Sequence, residues 1–448
     1  MLNVLGVGRG ATGFSPFPLL LLLFLGWAFT APAHAQTLTD DQVSAVKQRL
    51  AEGATHSWEF GTRAQTLLEL DAPPFSVLSP DSLPPPRALN ASANASLADV
   101  LSIAQNIVSG RAKSNGNATG PQPLIADGSA ADPASIGVAV LLANWTGLGR
   151  VDGLDYAGAA RDELDFLFND VPKTSDGAFS HRVSQVQLWS DFVYMVPPFL
   201  AYYGVLSQNQ TLLGEAYTQI KLYRNYLIDN SAGGLWKHVL LGDSGNDEGH
   251  WSTGNAWAAA GMLRVLGTMK NSPYSKSFKN QISDLGQWAF DIQKAMYPHL
   301  QSNNLFKNYA DSTDSTNFDD AASTALLAAT VYRLSLLTGT HTYLPFAERC
   351  RTALFSTNAA SATPSAFAAT AAHFSSDGWL APVVNPDAYG VQGANSPEGE
   401  AFVLQLHSAW RDWVADGARG ANGASRPLPT YGTFAMVVAS VWTAATGW

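Results

Sequence analysis

The stretch from Leu188 to Gly204 is almost wholly aromatic or aliphatic, and it holds one carboxylate, Asp191. Trp189, Phe192, Tyr194, Met195 and Phe199 are its neighbours in sequence. An acid in such company, at the start of an apolar helix, is either a cap on that helix or a group that moves protons. Ser190 offers an alternative cap, which leaves Asp191 available for chemistry. An apolar setting raises a carboxyl pKa, and the positive end of a helix lowers it. Together these opposed effects allow a carboxyl that keeps its proton near working pH, as general-acid catalysis requires.

Other polar residues stand at the starts of apolar segments. They are Asp132, then Thr253 and Asn255 in the run from Trp251 to Trp257, then Asp319 with Asp320, then Glu398 with Glu400. The turns before these starts carry His181, Arg182, His238 and His250. Each has a structural reading as well. Asp132 followed by Pro133 is a common helix start, with Asp as the cap and Pro in the first turn. The acid pairs at 319–320 and 398–400 suit the positive end of a helix. Trp251 and Trp257 read as core or cavity wall. The histidines lack the i, i+4 spacing of a helical zinc motif, so no metal and no cofactor is expected. Neither a Gly-rich phosphate loop nor a Gly-x-Ser-x-Gly elbow is present.

These residues need elements that bring them together. Leu38 to Leu70 has a helical pattern opened by a capping signal at Thr39, and Leu97 to Ser109 is a second helix, with loops at 73–86 and 112–131. From Asp132 onward the chain repeats an apolar helix followed by a more polar one. The pairs are 132–146 with 155–169, 191–204 with 210–230, and 253–266 with 274–296, then 319–338 with 342–355 and 397–414 with 433–446. Strand signals are confined to Ala178–Arg182 and Leu235–Val239. About twelve helices in six hairpins predict an all-α (α/α)6 toroid, with a few short strands or loops at the cavity mouth. The inner helices of such a toroid start at one end, so the polar residues named above converge there.

The chain has 448 residues, 46% of them hydrophobic and 14% charged, which predicts one globular catalytic domain over residues 36–448. A net charge of −10 argues against a nucleic-acid partner. The single cysteine, Cys350, excludes an internal disulfide and should be buried in its amphipathic helix. Residues 1–35 read as a signal peptide, with Arg9 before an apolar run and a small-x-small site at Ala33 to Ala35. No later stretch looks long and apolar enough to span a bilayer, so a secreted, soluble protein with no membrane contact after cleavage is expected. Sequons place N-glycans at Asn90, Asn94, Asn117 and Asn209. A fifth, at Asn144, sits within an apolar helix pattern and is the least suited to modification.

The segment from Asp191 through Met195 to Phe199 resembles the hallmark of the unsaturated glucuronyl and rhamnogalacturonyl hydrolases, glycoside hydrolase families 88 and 105. The runs Gly234 to His238 and Trp251 to Trp257 resemble two further motifs of these families, in the same order. Asp132 with Gly137 resembles the segment bearing their other key aspartate, and Ser396 to Phe402 is similar to secreted fungal members. The resemblance implies hydration of a 4,5-unsaturated uronic acid at the non-reducing end of an oligosaccharide, such as a pectin or rhamnogalacturonan fragment. It implies Asp191 as general acid and then base, with Asp132 holding the sugar and tuning Asp191. His181, Arg182, Trp189, Met195, His238, Trp251, Thr253, Asn255 and Trp257 are then the candidate substrate-binding residues. One departure is plain: Thr253 stands where the related motif carries an arginine. An ordinary glycosidase, a polysaccharide lyase and a non-catalytic sugar-binding protein are the competing expectations.

Overall fold

The computed structural model describes residues 37–356 and 372–421. Its helices, in chain order, are α1 (Asp40–Gly53), α2 (Ser57–Leu70), α3 (Ala91–Ser114) and α4 (Gly137–Thr146). A single turn, α5 (Gly149–Asp152), follows, then α6 (Tyr156–Asn169), α7 (Phe192–Leu206), α8 (Gln210–Leu227) and α9 (Ser252–Lys270). The last are α10 (Lys279–Met296), α11 (Ala321–Thr338), α12 (Leu344–Leu354) and α13 (Pro397–Ala415).

Helices α2, α4, α7, α9, α11 and α13 pack neighbour to neighbour into a closed inner ring, with α13 returning to α2. Around them lie α3, α6, α8, α10 and α12, each against the inner helix it is joined to, and α1 against α13. This is the (α/α)6 toroid. The division follows from composition. Every residue of α9 from Ser252 to Met269 is buried, whereas α10 buries one stripe.

Several expectations change. The span 38–70 is two helices, broken at Ala54–His56 after Gly53. Helix α1, closed by a capping box between Thr39 and Gln42, is therefore the outer partner of α13. The toroid has its twelve helices among the described residues, and the helix expected at 433–446 lies outside them. The second change concerns hydropathy: α11 is long and apolar enough to cross a membrane, but 89% of it is buried as an inner helix. Cys350 is buried, and burial pushes its thiol up to about 12. Asn144, expected within an apolar face, is exposed on the last turn of α4.

Helix α7 is built around a defect. Pro197 and Pro198 lack the N–H groups that would bond the carbonyls of Val193 and Tyr194. Helix α9 covers both. Arg264 donates from Nη1 to the Tyr194 carbonyl at 2.8 Å, and its guanidinium lies 4.4 Å from the Tyr194 ring centre. Gly261 packs so closely on Val193 that a Cβ there would collide with its carbonyl oxygen. The Met-x-Pro-Pro run thus fixes α7 against α9, directly below Asp191.

The predicted strand at Leu235–Val239 is two short strands, Leu235–Trp236 and Val239–Leu240. The one at Ala178–Arg182 is reduced to isolated bridges at Phe179 and Arg182. Leu188–Trp189 pairs antiparallel with Val239–Leu240, and a hairpin of Val383–Asn385 and Ala388–Gly393 stands over α11 and α13.

Candidate active site

A cavity of about 290 Å³ opens at the end where the inner helices begin. Of the candidates above, Asp132, Asp191, His181, Arg182, Trp189, Met195, His238, Trp251 and Trp257 line it. Thr253 and Asn255 do not. Thr253 is fully buried and donates to Asp320 Oδ2 at 3.0 Å, and Asn255 clamps the backbone N–H and carbonyl of Trp236. Both serve the scaffold behind the wall.

Asp191 is the residue before α7, and its side chain makes no capping bond. Its Oδ1 is buried and has no hydrogen-bond partner. Ser190 does not cap either, because its Oγ is likewise buried without a partner. The first turn of α7 is closed by backbone bonds from Val193 N–H to the Ser190 carbonyl and from Tyr194 N–H to the Asp191 carbonyl, so the Asp191 carboxylate, which lines the cavity, is not used as a cap. Asp132 opens a 3-10 turn with Pro133, is 8% exposed, and lines the same cavity. Burial, then the charges of Asp191 and Asp127, hold its carboxyl well above the usual carboxylate range. His181 Nε2 lies 3.6 Å from Asp132 Oδ1, beyond hydrogen-bond length, and burial lowers His181 to about 4. Burial thus disfavours the charged form of both the imidazole and the acid beside it.

His238 is placed by the short ladder of Trp189 with Val239 and by the bond from Ser190 N–H to its carbonyl. Its Nδ1 lies 2.9 Å from Asp247 Oδ2, which also accepts from the Tyr309 hydroxyl at 2.6 Å. With Nδ1 committed, Nε2 is left buried and unpartnered on the cavity side. Trp189 stacks on His181 at 4.9 Å, and Trp251 and Tyr389 flank His238 at 4.4 and 4.5 Å. The result is an aromatic wall suited to a sugar ring.

Arg182 reaches over Trp189, 5.6 Å from the ring centre, and has no ion-pair partner among the described residues. Lys237, by contrast, is paired outside the cavity with Glu248 at 2.6 Å. Four further residues line the cavity without having been singled out in the sequence: Trp58, Pro386, Asp387 and Tyr389. Glu398, read above as a helix-start acid, lines it too. Trp58 would have been visible had the break after Gly53 been read, because it then stands at the start of an inner helix. The turn signal Asn385-Pro-Asp387 marks the hairpin that carries Tyr389.

The family model of glycosyl hydrolase family 88 matches residues 99–374. The chain belongs to that family. This family 88 hydrolase has no match among curated protein sequences. Solved structures share its fold at low identity. One is a possible member of family 105 from Klebsiella pneumoniae, with 16% identity, TM-score 0.58, and 90% of this chain and 100% of that one covered. Another is the unsaturated glucuronyl hydrolase of Bacillus sp. GL1, with 12% identity, TM-score 0.52, and 82% and 94% covered. A polysaccharide lyase aligns at 14% identity, TM-score 0.53, over 84% and 97%.

Proposed function

We propose that this glycoside hydrolase acts on oligosaccharides that carry a 4,5-unsaturated uronic acid at the non-reducing end, with pectin-derived fragments as the expected source. The observation that carries the reading is Asp191, a carboxylate that caps nothing and faces a 290 Å³ aromatic cavity beside a second, raised carboxyl, Asp132. Asp191 donates its proton to C4 of the double bond. Water adds at C5 and returns a proton to Asp191. The hemiketal so formed opens, and the anomeric carbon, now a hemiacetal, releases the rest of the oligosaccharide. Asp132, whose carboxyl is raised by burial first, holds a sugar oxygen beside Asp191. Arg182, the unpaired cation at the cavity, is the contact for the uronate carboxylate that Thr253 cannot supply.

A second reading, an ordinary glycosidase, is favoured by one observation: Glu398 gives the cavity another carboxyl, on the helix opposite α7. The other acids at the helix starts, Asp319, Asp320 and Glu400, are occupied. Asp320 caps α11, Asp319 pairs with Lys307, and Glu400 accepts from the Leu380 N–H.

The test is to supply unsaturated rhamnogalacturonyl and glucuronyl disaccharides and follow loss of the C=C ultraviolet absorbance. Turnover is expected with at least one. No loss with any, together with sugar release from saturated substrates, overturns the reading in favour of the second. We further propose that the protein is secreted after cleavage following Ala35 and carries glycans at Asn90, Asn94, Asn117 and Asn209, all of which are exposed. N-terminal sequencing of secreted material that begins elsewhere than Gln36 would contradict this.

A further inference from the structure

Glu398 has no part in the hydration chemistry, yet it is built into the cavity with care. It is 5% exposed. Its Oε1 accepts from the indole N–H of Trp58 at 2.6 Å, a bond that joins the start of α2 to the start of α13. Its Oε2 is buried, has no partner, and belongs to a side chain that lines the cavity. A buried polar atom left open toward a cavity is costly unless something fills it. The six-membered ring sets α13 opposite α7, so Glu398 faces Asp191 from the far wall.

We propose that Glu398 is a specificity-determining residue that donates a hydrogen bond from Oε2 to a ring hydroxyl of the bound sugar. This rests on the cavity being the site for the unsaturated sugar. The indole can only donate, so Oε1 must be the accepting oxygen, and the proton falls on Oε2. The charged groups that act on Glu398 are Glu59 on α2, Asp191 just before α7 and Asp320 just before α11, all acids. With burial first and these charges after it, the carboxyl is held well above its usual range. The C4=C5 bond leaves the unsaturated ring with hydroxyls only at C2 and C3, so one of these two is the acceptor.

The experiment compares wild type, Glu398→Gln and Glu398→Leu on the accepted unsaturated disaccharide and on its 2-deoxy and 3-deoxy forms, by loss of C=C absorbance. Glutamine keeps an acceptor for Trp58 and a donor for the sugar, so its KM should stay within about threefold of wild type with kcat retained. Leucine should raise KM about tenfold or more, and one deoxy sugar should erase that difference. A folded Glu398→Gln enzyme that loses activity overturns the proposal, because the residue would then be needed as a carboxylate. So does an unchanged KM in Glu398→Leu, or a difference that neither deoxy form erases. Wild type that turns over no unsaturated sugar sinks the proposed function instead.

Discussion

His238 shows how one residue is prepared by others outside the cavity. Asp247 and Tyr309 fix its Nδ1 side, and the aromatic rings of Trp189, Trp251 and Tyr389 prevent it from turning. Replacing Asp247 by Asn should let the amide donate to Nδ1 and reverse the tautomer. We expect kcat/KM to fall by at least about tenfold with the melting temperature little changed. Unaltered kinetics would remove Asp247 from the site. At this scale the sequence was informative wherever a polar residue preceded an apolar helix, as with Asp132, Asp191, His181 and His238. It misled at Thr253 and Asn255, because a helix start has an inward and a backward face and both residues point back into the scaffold. It was silent on Tyr389, which reaches the cavity from a hairpin 198 residues beyond Asp191 in sequence.

Elements hold these residues through bonds that periodicity does not report. Arg264 satisfies a carbonyl freed by Pro198, and Gly261 allows α9 to lie against α7. The helical pattern was plain from Asp132 onward, since apolar and amphipathic segments alternate there. It failed at 54–56, where a three-residue break joins two helices whose apolar stripes run on almost in phase. On α6, Glu163 is fully buried, and its Oε2 accepts from the Leu124 N–H at 2.6 Å. Burial pushes its carboxyl up to about 8, against that bond and the Arg111 charge, which pull it down. A folded pKa above the unfolded value means stability that is complete below about 4.5 and is lost as pH rises through about 8. Glu163→Gln should therefore flatten the fall in melting temperature across that window. An equal fall in both proteins would show that Glu163 does not titrate there.

Closure of the whole ring depends on contacts between the two ends of the chain. Arg333 on α11 binds Glu69 of α2 at 3.0 Å and Asp412 of α13 at 2.6 Å, and Arg411 donates to the last carbonyls of α2. Arg333→Met removes the ion-pair partner of buried Glu69 and should cost about 3–5 kcal/mol, read by denaturant unfolding. A loss under about 1 kcal/mol would mean the ring closes without it. Helix α1 as partner of α13 could not be inferred from hairpin counting alone, because the pairing joins opposite ends of the sequence. The same closure brings Trp58 and Glu398 to the rim that holds Asp191. The most direct test of the central claim is turnover of the accepted unsaturated disaccharide by Asp191→Asn, with folding checked by circular dichroism. A folded protein whose C=C absorbance trace stays flat is expected. A folded Asp191→Asn protein that consumes the substrate at the wild-type rate would contradict the claim.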